Sequence, residues 1–128
     1  MKFFITQCMR DRTPEDIAHE RELIINAIPK AFERKGIKDT IEIIDSYFNT
    51  EEKRKIPEDC KFPRVYLLGK SIQLLSTADV YLTPLEISNG GTYPGVYAEK
   101  RIAEMYGIET WFYLIEGERV VVYPDFND

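Results

Sequence analysis

Glu99 is the residue from which a chemical reading of this chain begins. It closes the run Gly-Val-Tyr-Ala-Glu at positions 95–99, just after the glycine-rich stretch Ser-Asn-Gly-Gly-Thr-Tyr-Pro-Gly at 88–95. An apolar segment, Ala78 to Pro84, precedes both, so the order reads strand, loop, helix. Gly90 and Gly91 carry no Cβ and let backbone come close to a ligand. A carboxylate in the first turns of the next helix is favoured by the helix dipole and can face what the loop holds. This places Glu99 against a small, nucleotide-like ligand. The alternative is a carboxylate that merely solvates a surface helix.

Other chemistries find less support. The chain carries two cysteines, Cys8 and Cys60, and one histidine, His19, too few soft ligands for a zinc site. No metal or other cofactor is expected. No histidine lies near Cys8 in sequence, so it reads as an inert, buried thiol. His19 sits among Glu20, Arg21 and Glu22 and reads as an exposed helix residue. A net charge of −5 argues against a general nucleic-acid binder. The basic residues Lys53, Arg54, Lys55, Lys61, Arg64 and Lys70 are interleaved with Glu51, Glu52, Glu58 and Asp59 and read as a solvated region. The chain shows neither a signal peptide nor an apolar run that would span a membrane, so the expectation is a cytoplasmic protein with reduced thiols.

The elements that must position Glu99 follow from local signals. Lys2–Thr6 is a short apolar strand, and 7–12 is the loop at its carboxyl end. Thr13-Pro14-Glu15-Asp16 is a helix start: N-cap, proline in the first helical position, acids in the first turn. That helix should reach Lys35 and stop at Gly36, with an apolar stripe of Ile17, Ile24, Ala27, Ile28, Ala31 and Phe32. Pro29 should kink or divide it near Ile25. Thr40–Phe48 reads as the second strand, and 49–63 as a long polar loop with Pro57 and Pro63. A second helix, Arg64–Thr77, has Val65, Leu68, Ile72 and Leu75 on one face. Ala78–Thr83 is the third strand. The helix carrying Glu99 ends at Gly107, and Ile108–Ile115 and Glu118–Tyr123 form a hairpin about Glu116-Gly117.

The resulting order, β-α-β-α-β-α-β-β, implies one α/β domain over 1–128: a flavodoxin-like three-layer sandwich, with a mostly parallel sheet, helices on both faces and a C-terminal hairpin. The first and third strands should be adjacent, so that the loops after them meet at the switch point. The first loop would then lie beside Ser88–Glu99.

Three motifs make the chain look familiar. They are Phe3-Phe4-Ile5-Thr6-Gln7-Cys8-Met9-Arg10 ahead of the Thr-initiated helix, Leu68-Gly69-Lys70-Ser71 through Ala78-Asp79-Val80-Tyr81, and Gly95-Val96-Tyr97-Ala98-Glu99 with Ile102-Ala103 and Tyr106-Gly107. In order and spacing they resemble the nucleoside 2-deoxyribosyltransferase superfamily, in particular its phage and bacterial branch, over about Met1–Thr110. The resemblance implies cleavage of an N-glycosidic bond in a nucleoside or nucleotide, by transfer or hydrolysis, with Glu99 as the nucleophile. It also makes a homodimer or larger homo-oligomer an expectation, for which the apolar helix at 64–77 is a candidate contact.

On this reading a carboxylate stabilises the oxocarbenium-like centre, and a second acid, Asp79 or Glu86, serves the departing base. Gln7, Met9 and Arg10 in the first loop, and Asn89, Gly90, Gly91, Tyr93, Gly95 and Tyr97 in the second, would bind the substrate. Arg10 and the loop amides would hold a 5′-phosphate, and Tyr93 or Tyr97 would stack on a base or orient a carboxylate. The chain departs from the family pattern in three places. Leu85–Gly91 contains no aspartate, Pro94 precedes Gly95, and Asp11-Arg12 stands where the nucleotide hydrolases have a glycine pair. The second reading is a binding protein of the same fold that holds a nucleotide, an NAD-derived ligand or a partner protein without turnover.

Overall fold

The computed structural model describes residues 1–85 and 93–124. They form β1 (Lys2–Ile5), α1 (Pro14–Lys35), β2 (Glu42–Ile43), α2 (Pro63–Leu75), β3 (Val80–Pro84), α3 (Pro94–Met105), β4 (Glu109–Glu116) and β5 (Arg119–Tyr123). The five strands make one sheet in the order β2-β1-β3-β4-β5. All neighbours are parallel except β4 and β5, which form the expected antiparallel hairpin about Gly117. Gly117 has φ 63°, a left-handed conformation that suits glycine in a tight turn.

Successive residues of a strand face opposite sides of the sheet, and β1 divides the core accordingly. Phe3 and Ile5, with Val80, Leu82, Trp111, Tyr113 and Val122, pack under Ile24, Ala27, Ile28, Ala31 and Phe32 of α1. Phe4 and Tyr81 face the other way, against Leu75 of α2 and Ala103 of α3. The α1 stripe therefore has the expected composition and location. Its start is capped as expected, the Thr13 hydroxyl accepting from the Asp16 amide at 3.1 Å, and Gly36 ends it at φ 67°. Pro29 does not divide the helix, which runs unbroken from Pro14 to Lys35. Pro29 is exposed while Ile24, Ile28 and Phe32 are buried around it. The packing of that stripe outweighs one missing backbone bond.

Two further expectations are corrected. The second strand is two residues long rather than spanning Thr40–Phe48. The Ile44 amide still reaches the Phe3 carbonyl at 2.9 Å, but the chain then turns away. The next acceptor on β1, the Ile5 carbonyl, is taken by the Ser46 hydroxyl at 2.9 Å instead of by backbone. A guanidinium nitrogen of Arg21 also holds the Ile44 carbonyl at 3.0 Å. In α2, Val65 is not on the buried face: it is 66% exposed, and Leu75 is the helix's buried residue. Past Leu75 the helix tightens into turns, the Thr77 and Ala78 amides bonding three residues back to the Leu74 and Leu75 carbonyls at 3.1 and 3.0 Å, so it ends two residues before the expected Thr77.

The first and third strands are neighbours, and the Thr6 amide continues their ladder to the Leu82 carbonyl at 3.0 Å. The carboxyl ends of β1 and β3 thus lie together, as an open α/β sheet requires at its switch point. Cys8 and Cys60 are both free thiols. No helix among the described residues is long and apolar enough to cross a membrane.

Candidate active site

Glu99 is buried, at 6% exposure, although it sits two turns into an otherwise amphipathic helix. Val96, Glu99 and Ala103 share the buried face of α3, the spacing that points one helix face at a sheet. The carboxylate therefore rests on the sheet, where β1 and β3 supply its partners. The Thr6 hydroxyl, at the carboxyl end of β1, donates to Oε1 of Glu99 at 2.8 Å. The Tyr81 hydroxyl, from β3, donates to the same oxygen at 3.2 Å and has the Val96 carbonyl as a second acceptor at 3.4 Å. Thr6 is itself fixed from β4, whose Tyr113 hydroxyl donates to the Thr6 carbonyl at 2.7 Å.

Both hydrogen bonds fall on Oε1. Among the described residues, Oε2 is the oxygen left for a ligand. Burial pushes the Glu99 carboxyl up to about 7, and the bonds from Thr6 and Tyr81, which favour the charged form, offset only part of that. The Tyr81 hydroxyl is pushed up by burial and by the neighbouring carboxylate, so it stays protonated and remains a donor. The result is a carboxyl poised between its two forms near neutral pH, which suits proton transfer or nucleophilic work.

Glu99 opens onto a cavity of about 820 Å³. The carboxyl end of β1, the first loop, Ser46 and Phe48, the first half of α2 and the start of α3 enclose it. Its size suits a small organic ligand, and its walls are largely apolar with a few polar groups, the usual make-up of such sites.

Of the residues read from sequence, Gln7, Met9, Arg10, Tyr93, Gly95 and Glu99 come together on this cavity. Arg10 lies 5.9 Å from the centroid of the Tyr93 ring, so the first loop and the start of α3 meet across it. Gln7 is 4% exposed, and its Nε2 is engaged by the Ile17 carbonyl at 3.0 Å and by Glu20 at 3.1 Å. Arg12 grips the same Glu20 at 2.6 and 3.0 Å and the Cys8 carbonyl at 3.0 Å. Gln7 and Arg12 thereby brace the first loop against α1. Asp11 in that loop adopts φ 60°, a conformation aspartate tolerates better than most residues.

Two residues fall elsewhere. Asp79 stands before β3, at the amino ends of the strands, where its Oδ2 accepts from the Lys2 amide at 2.7 Å. The run from Lys2 to Thr6 at strand rise separates it from Glu99's partner by about 13 Å, so Asp79 does not join the site. Tyr97 is 44% exposed and does not line the cavity. Glu86, Asn89, Gly90 and Gly91 lie outside the described residues. Sequence reasoning missed Thr6, Tyr81, Tyr113, Phe48 and Arg64. A polar residue closing an apolar strand was a signal for Thr6; Tyr81 and Tyr113 stood only as members of the third and fourth strands. Among the described residues no three His, Cys, Asp or Glu side chains cluster as metal ligands would.

No protein-family model matches the chain, and comparisons with the curated proteins and with the solved structures find no match either.

Proposed function

We propose that the protein cleaves the N-glycosidic bond of a nucleoside or nucleotide, with Glu99 as the carboxylate that meets the sugar. The observation that carries this reading is the buried Glu99, clamped on one oxygen by Thr6 and Tyr81 and opening on a ligand-sized cavity. In its ionised form, Oε2 attacks the anomeric carbon. The bond to the base breaks, and the base leaves with the electron pair and takes up a proton from solvent water. Water then releases the sugar and restores Glu99, or a second base accepts the sugar in a transfer. Tyr93 and Phe48 on the cavity walls supply faces on which a base can stack.

The wider frame of this reading is a flavodoxin-like α/β sandwich of the nucleoside 2-deoxyribosyltransferase kind, whose fifth strand is reversed. We place it in the cytoplasm, a compartment in which its two free thiols stay reduced, and read it as a homo-oligomer. A second reading, ligand binding without turnover, draws on one observation. With Asp79 at the far end of the sheet, Glu99 is the only acid lining the cavity among the described residues, and no partner acid for the leaving base stands beside it.

Incubation with a panel of deoxynucleosides and their monophosphates, followed by chromatography for free base, separates the two. Base release that vanishes in Glu99→Ala supports the enzyme. Tight binding of a panel member with no release from wild type supports the binding protein.

A further inference from the structure

Besides the aromatic residues, four polar side chains are buried among the described residues: Thr6, Gln7, Thr83 and Glu99. Three of them are accounted for. Thr6 donates to Glu99, and Gln7 donates to Ile17 and Glu20. Thr83, on β3, is the fourth. It is fully enclosed, at 0% exposure, and its Oγ1 has no formed hydrogen bond among the described residues. A buried hydroxyl without a partner is unfavourable, and a valine of the same shape would fill the place without that cost. The hydroxyl therefore needs a reason other than packing.

Strand register puts that hydroxyl beside the Glu99 clamp. The β1–β3 ladder pairs Ile5 with Leu82, and the Thr6 amide extends it to the Leu82 carbonyl, so Thr6 and Thr83 follow side by side. Neighbouring strands run about 5 Å apart, and alternate residues of a strand share a face. Thr83 thus shares with Thr6, and with Tyr81 two positions earlier, the face on which α3 lays Glu99. Burial first, and then the Glu99 charge, push the Tyr81 hydroxyl up. Thr83 and Thr6 act in the opposite sense, as donors beside a phenol oxygen do.

Tyr81 is the member of the clamp that needs orienting. A phenol has one proton to give. Two acceptors stand at similar range, Oε1 of Glu99 at 3.2 Å and the Val96 carbonyl at 3.4 Å. A proton turned to Val96 leaves Oε1 with Thr6 alone. A donor to the phenol oxygen strengthens the bond that the phenol makes in turn, and a charged acceptor gains most from it. We propose that Thr83 is a positioning residue for Glu99: its hydroxyl donates to the Tyr81 oxygen when the carboxylate is ionised, and so keeps the Tyr81 proton on Oε1 and off the Val96 carbonyl. The two-point hold fixes the carboxylate plane and leaves Oε2 for the anomeric carbon. That last step rests on the glycosidic reading above; the hydrogen-bond chain does not.

The first arm of the test needs no substrate. Carbon-detected NMR of the Glu99 carboxyl, on the full chain, should show T83V titrating above the wild-type value of about 7 and T83S close to it. In a Y81F background T83V should cause no further rise, because the chain runs through the phenol. At acid pH, where the hydroxyl is idle, T83V should melt at or above the wild-type temperature. A T83V titration equal to wild type, an equal rise with and without the Tyr81 hydroxyl, or a lower melting temperature at acid pH overturns the proposal. If circular dichroism shows T83V unfolded, T83A carries the same comparison; unfolding of both gives Thr83 a structural role and overturns it as well. The second arm follows base release from the nucleoside and monophosphate panel. T83V should lower kcat about threefold or more, as one lost hydrogen bond warrants, with KM unchanged, and T83S should restore it. A raised KM at unchanged kcat overturns the positioning role. A moved titration with no base release from wild type keeps this proposal and sinks the glycosidic reading; base release with an unmoved titration does the reverse.

Discussion

Thr6 and Glu99, 93 positions apart in the chain, meet through a hydroxyl-to-carboxylate hydrogen bond of 2.8 Å. The contact joins the carboxyl end of a central strand to the inner face of the third helix, and it holds a carboxyl whose burial raises it to about 7.

That burial ties stability to pH. Between the ordinary value of 4.5 and the folded value of about 7, the folded chain holds the Glu99 proton more tightly than the unfolded chain does. Stability is therefore greatest below that interval, falls as pH rises through it, and stays lower above it. The full difference is roughly 3 kcal/mol. Glu99→Gln removes the titrating group and keeps an oxygen for Thr6 and Tyr81. Urea unfolding of both chains should give similar stability at acid pH and a more stable variant at pH 8. Parallel curves across the range would refute the assignment.

The two donors on Oε1 favour the ionised carboxylate. Thr6→Val and Tyr81→Phe each remove one, so each should move the Glu99 titration above its wild-type value of about 7. Carbon-detected NMR of the side-chain carboxyl reads this directly. The Thr6 variant should shift further, because its bond is the shorter of the two. A downward shift in either variant would contradict the arrangement.

Glu20 gathers three donors, two from Arg12 and one from Gln7. Glu20→Ala leaves that guanidinium and that amide without their acceptor and should cost about 2 kcal/mol. It should also loosen the first loop, so amides from Cys8 to Arg12 should exchange hydrogen faster than in wild type. Wild-type exchange rates in the variant would show that the loop is held otherwise.

Gly36 ends α1 at φ 67°, where a Cβ is strained although the space around it is open. Gly36→Ala should lower stability by about 1 kcal/mol through backbone conformation alone. Thr13→Ala at the other end should cost a similar amount, about 1 kcal/mol, by removing the cap. Thermal unfolding of the single and double variants should show near-additive losses, since the sites are a helix apart.

What the residues reveal without coordinates is uneven, for physical reasons. α1 is legible because its signals are local: Thr13, Pro14 and Gly36 act within a turn of themselves. Strand adjacency follows from the alternation of elements, and it brings the first loop to Glu99 as expected. α2 is harder, because both its faces are apolar and periodicity cannot choose between them; the chosen stripe included the exposed Val65. Asp79 looked catalytic by type, yet its place ahead of Val80 puts it at the amino ends of the strands. The Tyr113–Thr6–Glu99 relay links β4, β1 and α3, and no local spacing encodes such a contact.

α2 is seated in the core chiefly by Leu75, at its last residue, whereas its opening turn stands at the ligand chamber, which Arg64 and Val65 line. Framework and chamber wall are thereby assigned to different parts of the chain. The central strands and α1 keep the carboxyl in register, so substitutions in the opening turn of α2 can reshape the chamber while leaving the packed core intact.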